Sequence, residues 1–539
     1  MNCLYILVAP SAVGKSALLH KLKHERDVNG RPFWQAINKY STRDCRGVDG
    51  ETGIEDDVVN IDDKTEELII ARREFDQIKQ QDLSSVEAQI DYKTKLDILT
   101  SERFRYIEEY CKDTGDEKKG IVYHLNTNLY AFNFQEIITC LKSNNGVIIC
   151  SDFDTIRMLK SNPDFGECVR IVYIASSMDE QVLLKRYKNR VGSEEQNFSV
   201  SQEKLNLIEG YINLILSAAR IGHYEKIEQT VPLLNETWNS MLKYYSTICN
   251  RKEKIRLLFN QYIENISIID HVVLNFYDLE YMYEQMRQVI KHNNGITSRA
   301  MKVKYPIFMV CAAPSSGKGT LMEIVSDLGK VNGNLVQIKK YAKRAANQLT
   351  DRRDGMIPIG ADGKFEERIP KEFIWKWTGH KNSSASQIST EKEYAVDLNE
   401  IRSNVRAKKC QIFISNFGEI ERARALFPDN IVVLYLHATH DTETRKHIER
   451  KRQLESRKNI QKSLPHGEEL SDSEITALFN ESSNYEMYRR RVDADLAEIK
   501  DTHYQYIEHI SQVDYVLLNT GTQDDLILQM LKILKNYII

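Results

Sequence analysis

The sequence predicts an α/β fold made of two tandem domains, each a parallel sheet flanked by helices, with helical insertions. Three observations lead there. Short runs rich in Val and Ile alternate with helix-patterned segments along the whole chain, and that alternation marks βα units on a parallel sheet. The chain also repeats itself: "QYIENISIIDHVVLN" at 261–275 returns as "QYIEHISQVDYVLLN" at 505–519. Finally, 539 residues exceed the roughly 250 to 300 that one hydrophobic core usually serves.

Taken in order, the apolar run 4–8 is a buried strand that leads into Ala9-Pro10-Ser11-Ala12-Val13-Gly14-Lys15-Ser16, and "ALLHKLK" continues as a helix. Strand, loop and helix around Gly-Lys-Ser make a phosphate loop. Backbone N–H groups and the helix start surround the phosphates, Lys neutralises charge, and the next hydroxyl reaches magnesium. The basic segment "KYSTR" follows at 39–43. Much of 55–120 is charged with apolar residues at helical spacings, which predicts a long helix or a helical hairpin, structural or docking in role. It is the candidate surface for a protein partner.

The runs 147–150 and 170–174 are further strands. The first ends in "SDFD", placing Asp152 and Asp154 at the carboxyl edge, where open α/β sheets bind ligands. A helical stretch, about 191–263, occupies the place of a lid before the closing strand 271–274. The polar seam "NNGITSRAMK" at 293–302 divides the chain into domains at 1–295 and 303–539.

The second copy opens on the strand 307–311 and the loop Ala313-Pro314-Ser315-Ser316-Gly317-Lys318-Gly319-Thr320. Glycine follows its lysine, so Thr320 takes the magnesium position that Ser16 holds in the first copy. "KYAKR" at 340–344 matches "KYSTR", and "YAVDLNEI" at 394–401 matches "YAFNFQEI" at 130–137. Strands follow at 411–414, 431–436 and 515–518, with a lid-like segment at about 450–508. Asn416 and Gly418 stand where the first copy has Asp152 and Asp154.

Composition excludes several classes. A net charge of −3 with 42% hydrophobic and 28% charged residues is that of a soluble globular protein and argues against a dominant nucleic-acid surface. Nine scattered cysteines without a C-x-x-C pair argue against a disulfide framework or zinc site and fit the reducing cytoplasm. No apolar run approaches the roughly 18 to 20 residues of a membrane span, and the start lacks secretory-signal features.

"LYILVAPSAVGKSALL" resembles the opening of bacterial guanylate kinases, in which alanine at the Ala9 position is ordinary; Ala12 stands where that family usually has glycine. "STRDCRGVDG" at 41–50 resembles the family's acceptor-phosphate segment. The resemblance implies that Arg43 and Arg46 hold the acceptor monophosphate beside Ser41, with Asp49 in place of a glutamate. "SSMDEQVLLKRYKNR" at 176–190 is similar to the lid-helix entry, which implies that Arg186 and Arg190 reach the transferring phosphates. Asp152 resembles the acidic position after the second strand. The second copy resembles the superfamily more loosely, with "GKGT" closer to adenylate kinases and Arg344 aligned with Arg43.

The family's guanine-reading glutamate has no match. Both copies instead offer His-x-Asn, at His124 and Asn126 and at His380 and Asn382, and "FIWKWTGH" looks like ribose bisphosphate phosphokinases. Tyr130 and Tyr394 complete the acceptor-site candidates.

The resemblance implies an ATP- and Mg2+-dependent kinase of a nucleoside monophosphate, GMP-like, with catalysis by Lys15, Arg43, Arg186, Arg190 and Asp152 in the first copy and a divergent or regulatory second copy. A degenerate binding scaffold and a sugar-phosphate kinase are the alternatives. Physical chemistry asks for the same residue types. Phosphoryl transfer needs two anions positioned and neutralised by converging cations, and the planar fork of Arg suits phosphate.

Overall fold

Leu4–Val8 is buried at every position, as is Ile431–Ala438; strands without an exposed face belong inside a sheet covered on both sides. The computed structural model describes residues 2–9, 18–19, 21–22, 26, 32, 34–42, 58–59, 61–80, 85–111, 119–125, 128–177, 202–220, 224–276, 279–292, 303–313, 316–343, 356–359, 374–379, 392–438, 442–462, 471–520 and 522–537.

The first half runs β1 (Leu4–Val8), β2 (Trp34–Ala36), β3 (Lys39–Ser41), β4 (Val58–Val59), α1 (Glu66–Lys79), α2 (Val86–Cys111), β5 (Gly120–Leu125), β6 (Asn128–Asn133), α3 (Phe134–Ser143), β7 (Asn145–Ile149), α4 (Phe153–Lys160), β8 (Val169–Ser176), α5 (Gln202–Arg220), α6 (Tyr224–Asn265), β9 (His271–Asn275) and α7 (Leu279–His292). The second half runs β10 (Ile307–Ala312), α8 (Lys318–Asn332), β11 (Leu335–Gln337), β12 (Lys340–Ala342), β13 (Met356–Pro358), β14 (Ile374–Gly379), β15 (Lys392–Asp397), α9 (Leu398–Arg406), β16 (Cys410–Ser415), α10 (Ile420–Leu426), β17 (Ile431–Ala438), α11 (Thr442–Lys462), α12 (Asp472–Asn480), α13 (Ser482–His509), β18 (Tyr515–Asn519) and α14 (Gln523–Leu534).

The fold is α/β. Two five-stranded parallel sheets share one order, β2-β7-β1-β8-β9 and β11-β16-β10-β17-β18, and each half adds a four-stranded sheet, β4-β3-β6-β5 and β13-β12-β15-β14. The strands β1 and β10, which precede the two Gly-Lys motifs in the sequence, are therefore the central strands of their sheets. The seam at 293–302 falls outside the described residues. No described helix is long and apolar enough to cross a membrane.

Polar contacts recur between the halves as closely as the strand order does. Buried Gln285 accepts from the Leu274 N–H at 2.8 Å and donates to the Leu274 carbonyl at 3.0 Å; Gln529 does the same to Leu518 at the same two distances. Asp270 accepts from the Ile171 N–H and pairs with Lys160, and Asp514 accepts from the Val433 N–H and pairs with Arg424. Each carboxylate ties the start of a closing edge strand to its neighbour, where one strand lacks a ladder partner of its own.

The halves meet through those edge strands. Tyr262 on α6 donates its hydroxyl to the Val516 carbonyl on β18, and Tyr506 on α13 donates to the Val272 carbonyl on β9. Both pairs are related by the 244-residue offset of the sequence repeat, so the contact is isologous: a patch meets its own duplicate. Each tyrosine also stacks within its own half, Tyr262 on Tyr173 at 4.4 Å and Tyr506 on Tyr435 at 4.5 Å. The hydroxyls satisfy carbonyls on strands that end their sheets. Tyr262→Phe and Tyr506→Phe are each expected to lower unfolding free energy by about 1 to 3 kcal/mol, the cost of orphaning a buried carbonyl, measured by chemical denaturation of the full chain.

The same interface buries two imidazoles that the repeat does not share. The His437 ring lies 4.8 Å from that of Phe276 in the other half, tilted against it, and 5.9 Å from that of His503, with its Nδ1 3.1 Å from the Tyr435 hydroxyl. Burial pushes both below the ordinary histidine range, His503 to about 3, so both are neutral in the folded protein. For His503, between pH about 6.5 and about 3 the unfolded chain binds more protons than the folded one, and stability falls with falling pH; His437 acts in the same direction. The expected slope is roughly 1.4 kcal/mol per pH unit per histidine. His503→Phe, the residue type at the matching position 259, is expected to flatten it in urea titrations at several pH values.

Candidate functional site

The phosphate loop of the second half can be followed from Ser316 to Thr320. β10 brings the chain to the carboxyl edge of its sheet, Gly317 turns it at a φ of +96°, and α8 begins at Lys318. Only glycine adopts that left-handed conformation without strain. A Cβ on Gly317 would also lie 2.5 Å from Asn519 Nδ2. That amide donates to the Ser316 carbonyl at 2.9 Å, so the last strand braces the loop through the residue that closes its apolar run.

The start of α8 presents the positive end of the helix dipole. Lys318 donates to the Ala312 carbonyl at 3.1 Å. Ser316 is fully buried, and its Oγ has no hydrogen-bond partner among the described residues. Backbone donors, an ammonium and a spare hydroxyl suit a phosphate group. Thr320, two residues into the helix, is half-buried. Ala313 is buried; Pro314 and Ser315 lie outside the described residues.

In the first half, Ala9 is buried at the end of β1, and Pro10, Ser11, Ala12, Val13, Gly14, Lys15 and Ser16 lie outside the described residues, as do Arg43, Arg46, Asp49, Arg186, Arg190, Arg344 and His380. The residues leading into 43–50 are described. Ser41 is buried at the end of β3, and Thr42 exchanges two hydrogen bonds with the Leu129 backbone, one through its Oγ1.

The insertion 55–120 contributes a buttress to this place. Arg103, on α2, reaches Asp62 with two hydrogen bonds of 2.7 and 2.6 Å and donates a third to the Thr42 carbonyl at 3.0 Å. Arg103 is 3% exposed and Asp62 8%. Around them Ile107 packs on Tyr40, Leu129 and Ala131, and Glu136 accepts from both Tyr40 and Tyr110. The α1–α2 pair thus forms a second layer over β3 and β6, closed by Leu68, Phe75 and Leu99.

Tyr130 and Tyr394 hold matching places on β6 and β15, each under a lysine: Lys39 Nζ lies 5.7 Å from the Tyr130 ring centre and Lys340 Nζ 4.6 Å from that of Tyr394. His124 is exposed on β5, 6.2 Å from the Phe104 ring. Asp152 caps α4, accepting from the Thr155 N–H at 2.9 Å, while exposed Asp154 pairs with Arg157 at 2.6 Å. Glu419, near the position those acids occupy, accepts from Trp375 Nε1 at 2.8 Å.

The structure brings together residues that sequence reading passed over: Asn519, Arg103, Asp62 and the two lysines. Three of these carried a signal. Lys39 and Lys340 open the repeated "KYSTR" and "KYAKR", and Asn519 repeats Asn275 at the close of an apolar run. A polar residue kept in both copies amid apolar neighbours was the mark to follow.

No protein-family model matches this chain, and no curated protein matches it. Among solved structures, the guanylate kinase from Anaplasma phagocytophilum is matched at 11% identity with a TM-score of 0.25, over 43% of this chain and 86% of that one.

Proposed function

We propose that the protein is an ATP- and magnesium-dependent kinase that transfers a phosphoryl group to a nucleoside monophosphate, GMP-like, with chemistry in the first half and a divergent or regulatory nucleotide site in the second. The observation that supports the reading is a phosphate-loop sequence motif in each half, each following in sequence the central strand of sheets with the same order.

In this reading Lys15 draws the donor phosphates onto the loop, Arg43 and Arg46 grip the acceptor phosphate, and Arg186 and Arg190 meet the charge that develops on the moving group. Ser16 and Thr320 would hold magnesium, which neutralises charge on the phosphate oxygens when bound. The Asp152 carboxylate, already engaged as a helix cap, helps orient the acceptor. Segments 191–263 and 450–508 would serve as lids that exclude water. The insertion supports the acceptor segment and leaves the outer face of α1 for a protein partner.

The test is incubation of the full chain with labelled ATP, magnesium and a panel of nucleoside and sugar monophosphates. Label should appear in GMP or a close analogue. Transfer to a sugar phosphate alone would change the acceptor class, and ATP binding without transfer to any acceptor would reduce the protein to a nucleotide-binding scaffold.

A further inference from the structure

The closing strand of the second half touches both the Gly-Lys motif of its own half and a helix of the other. At the carboxyl end of β18, Asn519 Nδ2 donates to the Ser316 carbonyl at 2.9 Å, one residue before Gly317 turns the chain into α8. Nearer its start, the Val516 carbonyl accepts from the Tyr262 hydroxyl on α6 of the first half. Val516 and Asn519 are three residues apart, about 10 Å of extended chain. β18 therefore joins α6 to Ser316–Thr320.

Each joint is stiff. Tyr262 is fully buried and stacks on Tyr173 at 4.4 Å, so its hydroxyl is fixed to the sheet of the first half. Leu518, the residue before Asn519, has both backbone groups held by Gln529 on α14, at 2.8 and 3.0 Å. One turn further along α14, Lys532 pairs with Glu264 of α6, an exposed pair that fixes register more than it adds energy. β18 and α14 thus move as one unit against the end of α6.

On the other side, the Asn519 amide occupies the space that the missing Cβ of Gly317 leaves, since a Cβ there would lie 2.5 Å from Nδ2. A ligand that shifts or orders this turn must act on Asn519. Close-packed interiors pass such displacements on rather than absorb them, and the rigid unit leads to Tyr262. α6 makes up most of the segment proposed above as the lid of the first half.

We propose that β18 couples the two halves: a ligand that orders Ser316–Thr320 steadies α6, so that the second half regulates the first through Asn519, Val516 and Tyr262. Coupling is reciprocal, and a change at Tyr262 is therefore felt at Ser316–Thr320. The regulatory meaning rests on the nucleotide reading of the second half, whereas the link itself is tested with no ligand present.

The experiment is hydrogen exchange read by mass spectrometry on full chains, first without ligand and then with ATP and magnesium. Tyr262→Phe, which keeps the ring and removes the hydroxyl, is expected to speed exchange in the peptide 316–325 by roughly two- to tenfold, the worth of one hydrogen bond. Tyr506→Phe is the control. It removes the duplicate contact at comparable cost in stability, but acts on β9, at the edge of the other sheet, and should leave 316–325 as in wild type. Asn519→Ala breaks the link from its other end and should speed exchange at 258–265 of α6. With ATP, wild type should gain protection at 258–265 and Lys318→Ala should gain less, while Tyr262→Phe should bind ATP at the Lys318-dependent site roughly two- to tenfold more weakly.

Equal exchange at 316–325 in Tyr262→Phe and Tyr506→Phe would overturn the coupling. Faster exchange there in Tyr262→Phe alone, in a protein without a Lys318-dependent ATP site, keeps the coupling and removes the nucleotide reading of the second half. ATP bound at that site with equal exchange in the two variants does the reverse. Should Tyr262→Phe not fold, the comparison is read on Asn519→Ala, where wild-type exchange at 258–265 overturns the proposal.

Discussion

Lys15→Ala is expected to lower kcat/KM for phosphoryl transfer by on the order of 10² to 10³, the loss seen when a preorganised group facing transition-state charge is removed. On the proposed reading, backbone donors of a phosphate loop survive the substitution, so ATP binding should weaken less than turnover. Lys318→Ala is expected to change transfer by less than about tenfold, on the proposal that the second half is regulatory, while removing nucleotide binding there. Steady-state kinetics of both variants with ATP and GMP, beside equilibrium binding, separate the outcomes. Loss of transfer in Lys318→Ala alone would move the chemistry to the second half.

Arg103→Met should have the largest effect on stability. Removing one partner of a buried ion pair typically costs about 3 to 5 kcal/mol, because the other charge is left uncompensated. Asp62 would keep Arg72, at 3.2 Å, which places the expected loss near the lower end of that range. Thr42 would lose a donor to its carbonyl, one residue before Arg43. The acceptor KM should therefore rise while the ATP KM holds. The double variant Arg103→Met/Asp62→Leu should recover much of the stability, since an apolar pair of similar volume often replaces an ion pair without loss, but not the acceptor KM. Denaturant unfolding and a two-substrate kinetic analysis check both parts. A double variant with normal acceptor KM would show that the clamp only holds the insertion in place.

Much of the fold was legible because its signals are local. The Val- and Ile-rich runs at 4–8, 147–150, 170–174, 271–274, 307–311, 411–414, 431–436 and 515–518 coincide with β1, β7, β8, β9, β10, β16, β17 and β18; strands buried on both faces must be continuously apolar. The small sheets were less legible. β3 and β12 are three residues each and carry a lysine, so they read as charged loop until their partners β6 and β15 are known. Asp152 shows another limit, because a carboxylate at a strand's carboxyl edge looks the same in sequence whether it serves a ligand or caps the next helix.

What the sequence determined by itself is the set of contiguous features: the alternation that makes the fold α/β, the repeat, and the strand, glycine turn and helix start of the phosphate loop, each completed within about twenty residues. Tertiary structure decided which of many similar charges are buried and what they meet. Nothing within α2 distinguishes Arg103 from Arg105, yet one is 4% exposed in its side chain against Asp62 and the other 52%. Nothing in the repeat says that its copies bind each other through Tyr262 and Tyr506. Those outcomes depend on groups separated by 41 residues for Arg103–Asp62 and 254 for Tyr262–Val516. Burial and charge pairing act through space, so only the folded chain brings such groups into range.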